Sequence, residues 1–456
     1  MTYSHIIRKT LNIKDKNIHF DPETYILEDE TIKEITYKVF EATLTYMPKA
    51  CEKCGVVNHA HTVIKNGKKM SLLKLGTVMF QPARLKLWKQ RFLCKACHQT
   101  FVAKTSLVQK HCFISNPIKT HIALELQTIQ SMKAIGDRVA VSSPTVMRVL
   151  KTVGETLELN HQSLPEHLSF DEFKSVKEAA GAMSFIFSNA RTHEVMDIIE
   201  NRQQGELIAY FQRFSYALRS QVKTVTIDMY SPYMTVIETC FPNAKLIIDR
   251  FHIVQHLNRS LNRLRIEVMN THRYSRPKDY HKLKKQWKLV LKNSWKVNFD
   301  TFMTHRLYEG MVSQRMMVNY LLSFDEQFDW VYTLVNDLKY SLSVGNSTQF
   351  LYHLERSKER PLRRYIRTTM QTLEKYSEAI THCCTYTLSN GHLEGINNKI
   401  KTMKRSGYGY KNFKNLRARI LISFKLTDKN ATTVRHLTFE EEKEEEKKEE
   451  KRKKAS

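Results

Sequence analysis

Residues 167–173 read HLSFDEF, residues 223–228 read KTVTID, and residues 244–249 read AKLIID. Two further apolar runs, AMSFIFSNA at 182–190 and EVMDIIE at 194–200, lie between the first and the second of these segments. Short runs rich in β-branched and aromatic residues predict strands. Because helical segments separate the later strands, this part of the chain predicts an α/β sheet.

The pattern changes after Asp249. From there to about His382 the strand signals nearly disappear, and the periodicity predicts helices rich in Lys, Arg, Leu and Tyr. A polar break, TLSNG, then precedes a last helical block, HLEGINNKIKTMKRS. We divide this half of the chain into the first part of a core at 165–255, a helical insertion at 256–382, the last part of the core at 383–428 and a charged, disordered tail at 429–456.

The charge of the chain indicates the chemistry of its partner. The 456 residues include 73 Lys and Arg against 46 Asp and Glu, which gives a formal net charge of +27. So large a positive charge favours a polyanion over a small metabolite. No apolar stretch reaches the length of a membrane span, and the N-terminus has no signal-peptide core. We therefore expect a cytoplasmic protein that does not bind membranes.

Four of the eight cysteines form two CxxC pairs. Two such knuckles facing each other supply the tetrahedral sulfur cage that structural zinc prefers. The strand-like segments between the pairs form a hairpin that brings the knuckles together, so we predict a zinc-ribbon-like domain at 51–104 after a scaffold segment at 1–50. His98 stays an alternative to one cysteine, and ordinary reduced thiols stay an alternative to the metal. The four predicted zinc ligands are Cys51, Cys54, Cys94 and Cys97.

Residues 131–151, SMKAIGDRVAVSSPTVMRVLK, show a helix-turn-helix pattern within a helical domain at 116–160. The Ser-Ser-Pro-Thr stretch is a suitable entry into the second helix. Thr145 and Arg148 are then expected to face outward toward a DNA groove. Packing of two plain helices is the alternative. In the ribbon, Lys89 and Arg91 predict a basic face that contacts DNA, or else a solvated surface.

Three acidic residues stand out by position. Asp171 lies inside a strand, where an ionised carboxylate is unfavourable unless it meets a cation. Asp228 ends another strand, and if the two strands are parallel neighbours the carboxylates reach the same side of the sheet. Glu394 begins the last helical block. Two aspartates and a glutamate that hold Mg²⁺ form a minimal set for phosphoryl transfer on nucleic acid. Taken singly, each acid also fits a cap, a turn or a solvated helix surface.

Several ordered segments together carry a family resemblance. They are CEKCG, FLCKACHQTF, SFDEFKSVK, TIDMYSPY, PNAKLIIDRFHIVQ and SNGHLEGINNKIKTMKRSGYGYKNFKNLRARI. With them the sequence resembles the bacterial insertion-sequence transposases of the ISL-three family, members of the DDE superfamily with a ribonuclease H-like catalytic fold. The resemblance implies an α/β, ribonuclease H-like core with an all-helical insertion, preceded by a zinc ribbon and a helix-turn-helix. It also implies that Asp171, Asp228 and Glu394 are the catalytic triad.

The segment Asp249-Arg-Phe-His252 resembles a D-x-x-H signature of DDE transposases that carry a helical insertion. By that resemblance His252 contacts the scissile phosphate or a displaced base, and Asp249 orients it. A helix cap followed by a packed histidine is the alternative. The basic run after Glu394 predicts further DNA contacts. Its members are Lys399, Lys401, Lys404 and Arg405.

The expected activity is that of a DDE transposase. Such an enzyme binds the terminal inverted repeats of an insertion sequence and uses two Mg²⁺ ions, with Mn²⁺ as a substitute, for DNA cleavage and strand transfer. A structural Zn²⁺, double-stranded repeat and target DNA as partners, a homo-oligomeric state and a nucleoid location follow from the same resemblance. The alternative is a DNA-binding regulator with a catalytically retired core.

Overall fold

The computed structural model describes residues 3–23, 26–32, 34–407 and 410–426. The predicted tail at 429–456 lies outside these residues. The chain separates into two compact units. Unit 1 comprises residues 1–158, 176–178 and 399–456, and unit 2 comprises residues 159–175 and 179–398. None of the described helices combines the length and the apolar character needed to cross a bilayer.

Within its described residues, unit 1 contains one short helix, then six strands, and then further helices. Its elements up to residue 156 are α1 (Tyr3–Thr10), β1 (Ile18–His19), β2 (Ile26–Ile32), β3 (Ile35–Leu44), β4 (Val63–Val78), β5 (Gln81–Cys94), β6 (Thr100–Val102), α2 (Asn116–Glu125), α3 (Met132–Arg138) and α4 (Ser143–Thr156). The strands form one sheet in the order β1-β3-β5-β4, with β2 on β3 and β6 on β5. The β4–β5 pair is antiparallel and places Val63 opposite Cys94, as the predicted hairpin requires. Because β3 pairs with β5, the expected boundary at residue 50 falls inside this sheet.

The helices of unit 1 enclose a separate apolar core. Ile122, Ile135, Val146 and Leu150 from α2, α3 and α4 are fully buried in it. Helix α4 ends against α17 (Phe413–Lys425), which contributes Ile422 to the same core. The sequence assigns residues 383–428 to the catalytic core, whereas the apolar face of α17 packs against α4 within unit 1.

The contact between α4 and α17 is unusually close. A Cβ added at Gly154 would lie 2.4 Å from the Cβ of Ala418, so only glycine fits this position. The guanidinium of Arg419, fully buried in α17, donates to the backbone oxygens of Thr128 and Gln130. Close backbone approach and two hydrogen bonds from a buried guanidinium therefore fix α17 onto the helix pair.

Unit 2 contains the α/β sheet that the sequence predicts. Its elements up to residue 248 are β7 (His167–Lys174), β8 (Met183–Asn189), β9 (Val195–Ile199), α5 (Gln204–Phe211), α6 (Tyr216–Ser220), β10 (Thr224–Ile227), α7 (Ser231–Cys240) and β11 (Lys245–Ile248). The strand order is β11-β10-β7-β8-β9. Strands β7, β8 and β9 form antiparallel pairs, and β10 and β11 run parallel to β7. The first and fourth strands, β7 and β10, are parallel neighbours, which is the condition under which Asp171 and Asp228 reach the same side of the sheet.

The rest of unit 2 is mainly helical. Its elements are α8 (Arg250–Thr271), α9 (Pro277–Lys285), α10 (Trp287–Leu291), a 3₁₀ turn (Ser294–Lys296), β12 (Met303–Thr304), β13 (Met311–Val312), α11 (Gln314–Leu322), α12 (Glu326–Ser343), α13 (Ser347–Arg356), α14 (Arg364–Lys375), α15 (Ser377–Thr385) and the start of α16 (Gly391–Ser406). The two-residue strands β12 and β13 form an antiparallel pair, so the insertion is not all-helical as expected. A run of two residues is too short to produce a recognisable alternating pattern. The helices share one apolar core with Ile247 and Ile248 of the sheet.

Candidate active site

Three aspartates lie level with one another at neighbouring parallel strands. The register pairs Thr226 with Ser169 and Ile227 with Ile248. Two residues further along β10 and β7, this register places Asp228 beside Asp171. One residue beyond the Ile227–Ile248 pair, it places Asp228 beside Asp249. The carboxyl ends of parallel strands are where α/β sheets bind ligands. The sheet therefore brings together carboxylates from distant parts of the chain.

Asp228, Asp249 and His252 form a compact group of potential metal ligands. One ligand atom of each lies within 4.8 Å of those of the other two. His252 lies in the first turn of α8, and its Nε2 is 2.8 Å from Asp228 Oδ1. Among the described residues, neither Asp171 nor Glu394 belongs to this group. The predicted triad is therefore represented in it by Asp228 alone.

The charges of this group act on the pKa values of Asp249 and His252. Burial raises the pKa of Asp249, the positive charge of His252 opposes that rise, and the charge of Asp228 adds to it. Burial acts to lower the pKa of His252, but its contact with Asp228 and the nearby charges of Asp249 and Asp171 raise it overall. The neighbouring carboxylates therefore favour the protonated form of His252.

Asp171 lies close enough for the same charges to change its pKa. Burial raises the pKa of its carboxyl to about 7, and the charges of Asp228 and Glu172 add to the rise. The backbone N–H of Glu172 donates to Asp171 Oδ1 at 2.7 Å. The side chain of Glu172 itself is engaged elsewhere, because Arg202 and the Tyr233 hydroxyl donate to its Oε2. Asp171 is thus the acid of this strand that is available to the aspartate cluster.

Helix α16 is anchored to the strand that carries Asp171. Asn397 Nδ2 donates to Asp171 Oδ2 at 2.8 Å, and Asn390 Nδ2 donates to the backbone oxygen of Phe170 at 2.9 Å. Glu394 is exposed and lies in the first turn of the helix. Residues three apart share a helix face, so Glu394 lies on the same face as Asn397. The helix that carries the third predicted acid is therefore held at Asp171.

The acidic cluster fits a divalent cation. Carboxylates that share a small volume repel one another, and a cation relieves that repulsion. The Oγ of Ser169, the Oγ1 of Thr226 and the Oδ1 of Asn397 are buried and have no hydrogen-bond partner among the described residues. A predominance of oxygen donors suits Mg²⁺ and also Mn²⁺.

The four cysteines of unit 1 form a second group of ligands, and their sulfurs all lie within 4.8 Å of one another. The Sγ atoms of Cys51 and Cys97 are 3.8 Å apart, as are those of Cys54 and Cys94. A tetrahedral Zn²⁺ with Zn–S bonds of about 2.3 Å separates its sulfurs by about 3.8 Å. The donor set and spacing therefore fit zinc without His98.

The predicted DNA contacts of the helix pair differ in exposure. Helices α3 and α4 are present at the predicted place, and Arg148 is exposed on α4. Thr145 is buried, with 7% of its surface exposed, and its hydroxyl contacts Ser142 Oγ and Arg148. The expectation that Thr145 faces a DNA groove is therefore wrong, because its hydroxyl lies within the start of the helix.

The basic residues of α16 also differ in exposure. Lys401 and Arg405 are exposed, and Lys404 is half-buried. Lys399 is half-buried, because its ammonium donates to the backbone oxygen of Ser423 and lies over the ring of Phe424. The prediction that Lys399 contacts DNA is therefore wrong, because its side chain packs against α17.

The ribbon presents cations side by side. Arg91 is exposed and Lys89 is half-buried. Lys89 lies directly opposite Lys69 in the β4–β5 pair. Burial lowers the pKa of Lys89, and the charge of Lys69 adds to this effect. Like charges in direct cross-strand register are unfavourable unless an anion neutralises them.

Comparison with known proteins assigns the family. Residues 168–420, more than half of the chain, match the model of the ISL-three type of DDE transposases, which is described as "Transposase". The chain belongs to this transposase family. It is 24% identical over 366 residues to the "Transposase for insertion sequence element IS1001" of Bordetella parapertussis, covering 79% of this chain and 85% of that protein. It is also 40% identical over 55 residues to an "ATP-dependent protease" of Lactococcus lactis subsp. lactis, covering only 12% of this chain and 18% of that protein.

Sequence reasoning missed the two asparagines of this transposase that bond to the strand of Asp171. Asn390 and Asn397 flank Glu394 in the SNGHLEGINNK segment, but nothing local separates Asn397 from its neighbour Asn398. The one available signal was spacing, because Asn397 follows Glu394 by three residues and shares its helix face. Only the packing of α16 on β7 reveals which asparagine meets Asp171.

Proposed function

We propose that this transposase binds the terminal inverted repeats of an insertion sequence and catalyses Mg²⁺-dependent strand cleavage followed by strand transfer. The observation that carries the proposal is the meeting of Asp171, Asp228 and Asp249 at adjacent parallel strands, with the helix of Glu394 anchored to Asp171 through Asn397. The relative from Bordetella parapertussis, named as the transposase of an insertion sequence, is consistent with this activity.

In this proposal Asp171, Asp228 and Glu394 hold the divalent cations. Two such ions would supply activation of the attacking water or 3′-hydroxyl and stabilisation of the leaving oxygen. Asn397 holds the Asp171 carboxylate in one orientation. Asp249 and His252 place an acid and a cation next to Asp228, which sets the charge of the site.

The sheet supports a ribonuclease H-like core. Three antiparallel strands, β7 to β9, are followed by two strands that join the β7 edge in parallel through helical crossovers. Asp171 lies on the central strand and Asp228 directly follows its parallel neighbour. This arrangement, together with the family, is the basis for assigning the two aspartates to one catalytic centre.

Unit 1 supplies the proposed recognition of DNA. The cysteine cluster holds one structural Zn²⁺ and so fixes the end of the β4–β5 hairpin. Lys89 and Arg91 on the hairpin and Arg148 on α4 then contact the phosphates and bases of the repeats. Lys401, Lys404 and Arg405 on α16 add phosphate contacts. Pairing of two repeat ends requires at least two copies of the chain.

Cleavage of labelled repeat DNA tests the proposal. Wild-type protein with Mg²⁺ is expected to nick at the end of the repeat and to join that end to target DNA. Asp228→Asn removes one charge and is expected to abolish nicking with repeat binding retained. Glu206→Gln removes an exposed acid in the first turn of α5 and is the matched control. Tight binding by wild type without cleavage in Mg²⁺ or Mn²⁺ would instead identify a regulator, and equal cleavage by Asp228→Asn would disprove the site.

A further inference from the structure

A polar groove lies between α8 and α14 in the helical part of unit 2. Its volume is about 540 Å³, and its lining includes Arg259 and Arg263 from α8 and Arg364, Tyr365 and Thr368 from α14. A hydrogen bond of 2.6 Å between the hydroxyls of Ser260 and Thr369 joins the two helices across its floor. The groove is thus formed by two packed helices and does not depend on a loop.

The lining of the groove is cationic. It contains three arginines and no acidic residue. The nearby Glu267 accepts a hydrogen bond from the Tyr365 hydroxyl and forms an ion pair with Arg363, which lies outside the groove. Arg263 lies over the ring of Tyr365, with its Cζ 4.2 Å from the ring centroid. Stacking of this kind restricts the guanidinium before any ligand binds.

Arginines in this arrangement are phosphate donors. A guanidinium offers a planar fork of N–H groups that matches two phosphate oxygens. The hydroxyls of Tyr365 and Thr368 already donate to Glu267 and to the backbone oxygen of Arg364, so the arginines carry the phosphate contacts. Three exposed arginines that face one groove repel one another, and an anion of more than one charge relieves that repulsion.

Helix α8 connects the groove to the aspartate cluster. His252, His256, Arg259 and Arg263 follow one another at intervals of four, three and four residues, which places them on a single face of α8. At a rise of 1.5 Å per residue, Arg263 lies about 17 Å along the helix from His252. One strand of duplex DNA carries a phosphate every 3.4 Å of axis, so for DNA whose axis runs along α8 this distance corresponds to about five nucleotides.

We propose that the α8–α14 groove binds the phosphate backbone of the repeat DNA about five nucleotides from the phosphate that is cleaved at the aspartate cluster. This inference rests on the proposed cleavage activity and adds a location to it. Helix α8 aligns the strand, since its first turn contributes His252 to the cluster and its third and fourth turns contribute two arginines to the groove.

Salt-dependent binding of repeat DNA tests the groove. The triple variant Arg259→Gln, Arg263→Gln, Arg364→Gln removes three groove cations. The matched control Lys284→Gln, Lys285→Gln, Lys288→Gln removes three exposed cations elsewhere in the same helical region. Each phosphate contact contributes about 0.9 to the magnitude of the slope of log affinity against log salt concentration. The magnitude of this slope is therefore expected to fall by about 2 to 3 in the groove variant and by less than about 1 in the control.

Neutral phosphates then locate the contact. Methylphosphonate substituted singly along the repeat is expected to weaken wild-type binding at about the fifth phosphate from the cleavage point. In the groove variant the same substitution is expected to have no further effect, and an Arg→Lys triple variant keeps part of the effect. Thermal unfolding of both triple variants checks that the helices remain folded.

The outcomes separate the two proposals. If wild type cleaves repeat DNA while the groove and control variants lose the same affinity and slope, the groove assignment is wrong and the cleavage activity stands. Methylphosphonate sensitivity that is unchanged in the groove variant also overturns the assignment. If wild type neither binds nor cleaves repeat DNA, the proposed function fails, and the groove inference fails with it.

Discussion

Asn397 Nδ2 donates to Asp171 Oδ2 at 2.8 Å across 226 positions of sequence. This bond joins the strand that carries the first acid to the helix that carries Glu394. Asn397 is 7% exposed, so the bond lies largely out of water. A buried hydrogen bond to a carboxylate both orients that carboxylate and stabilises its charged form. In the proposed mechanism Asn397 is therefore a positioning residue that acts through Asp171.

Removing the Asn397 amide is expected to slow cleavage. Polar groups that orient metal-binding carboxylates change activity or metal affinity by about 10-fold to 100-fold when they are replaced. We expect Asn397→Ala to reduce nicking by about this factor and to raise the Mg²⁺ concentration needed for half-maximal rate, with repeat binding unchanged. Asn319→Ala, an exposed helix position on α11, is the control. A purely structural role would lower the melting temperature without changing the Mg²⁺ requirement.

Loss of the Glu394 charge is expected to abolish cleavage without loss of folding. Glu394 is exposed, so Glu394→Gln leaves no buried group unpaired. A metal ligand contributes several kcal/mol to phosphoryl transfer, so the cleavage rate is expected to fall by at least about 100-fold. Glu378→Gln, an exposed acid in the first turn of α15, is the matched control. Equal cleavage rates for the two variants would remove Glu394 from the catalytic set.

Zinc content tests the cysteine cluster. Wild-type protein is expected to carry one Zn²⁺ per chain, measured by atomic emission on protein purified without added metal. Cys54→Ser removes one of four thiolates and is expected to lower both the zinc content and the melting temperature, because structural zinc contributes directly to folding. Cys112→Ser, outside the cluster, is expected to keep its zinc. Full zinc content in Cys54→Ser would exclude that residue as a ligand.

Lys339 predicts a pH dependence of stability in the helical part of unit 2. Its ammonium donates to Asn258 Oδ1 and to the backbone oxygen of Leu291, and burial lowers its pKa from 10.5 to about 8. Between these two pKa values the unfolded chain binds the additional proton. The contribution of Lys339 to the free energy of unfolding therefore rises with pH across that window and is constant below it.

Lys339→Met removes this dependence. Between pH 7.5 and pH 9.5 wild type is expected to gain about 2 kcal/mol in the free energy of unfolding relative to the variant. Urea unfolding followed by tryptophan fluorescence suits the measurement, because three of the four tryptophans, Trp287, Trp295 and Trp330, lie in the helical part of unit 2. Parallel pH profiles for the two proteins would show that Lys339 titrates normally.

Local patterns predicted most of the elements. The strands at Asp171 and Asp228, the hairpin between the cysteine pairs and the helix of Glu394 all lie where their sequences predicted them. Each depends on contacts close in sequence or on the alternation of one strand, which is readable from composition and spacing. Thr145 and Lys399 were misjudged, because whether a polar side chain faces solvent or packs against another element depends on a partner that the local pattern does not contain.

The sequence alone determined the family, the charge and the kinds of group that the chain can offer to a metal or to DNA. Tertiary structure decided which of those groups meet. Asp249 and His252 form the compact group with Asp228, Asn397 rather than Asn398 holds Asp171, and α17 packs on α4. Such meetings depend on the register of parallel strands and on helix packing across hundreds of residues. A local pattern carries no information about contacts between residues so far apart in the sequence, because these contacts form only when the complete core is packed.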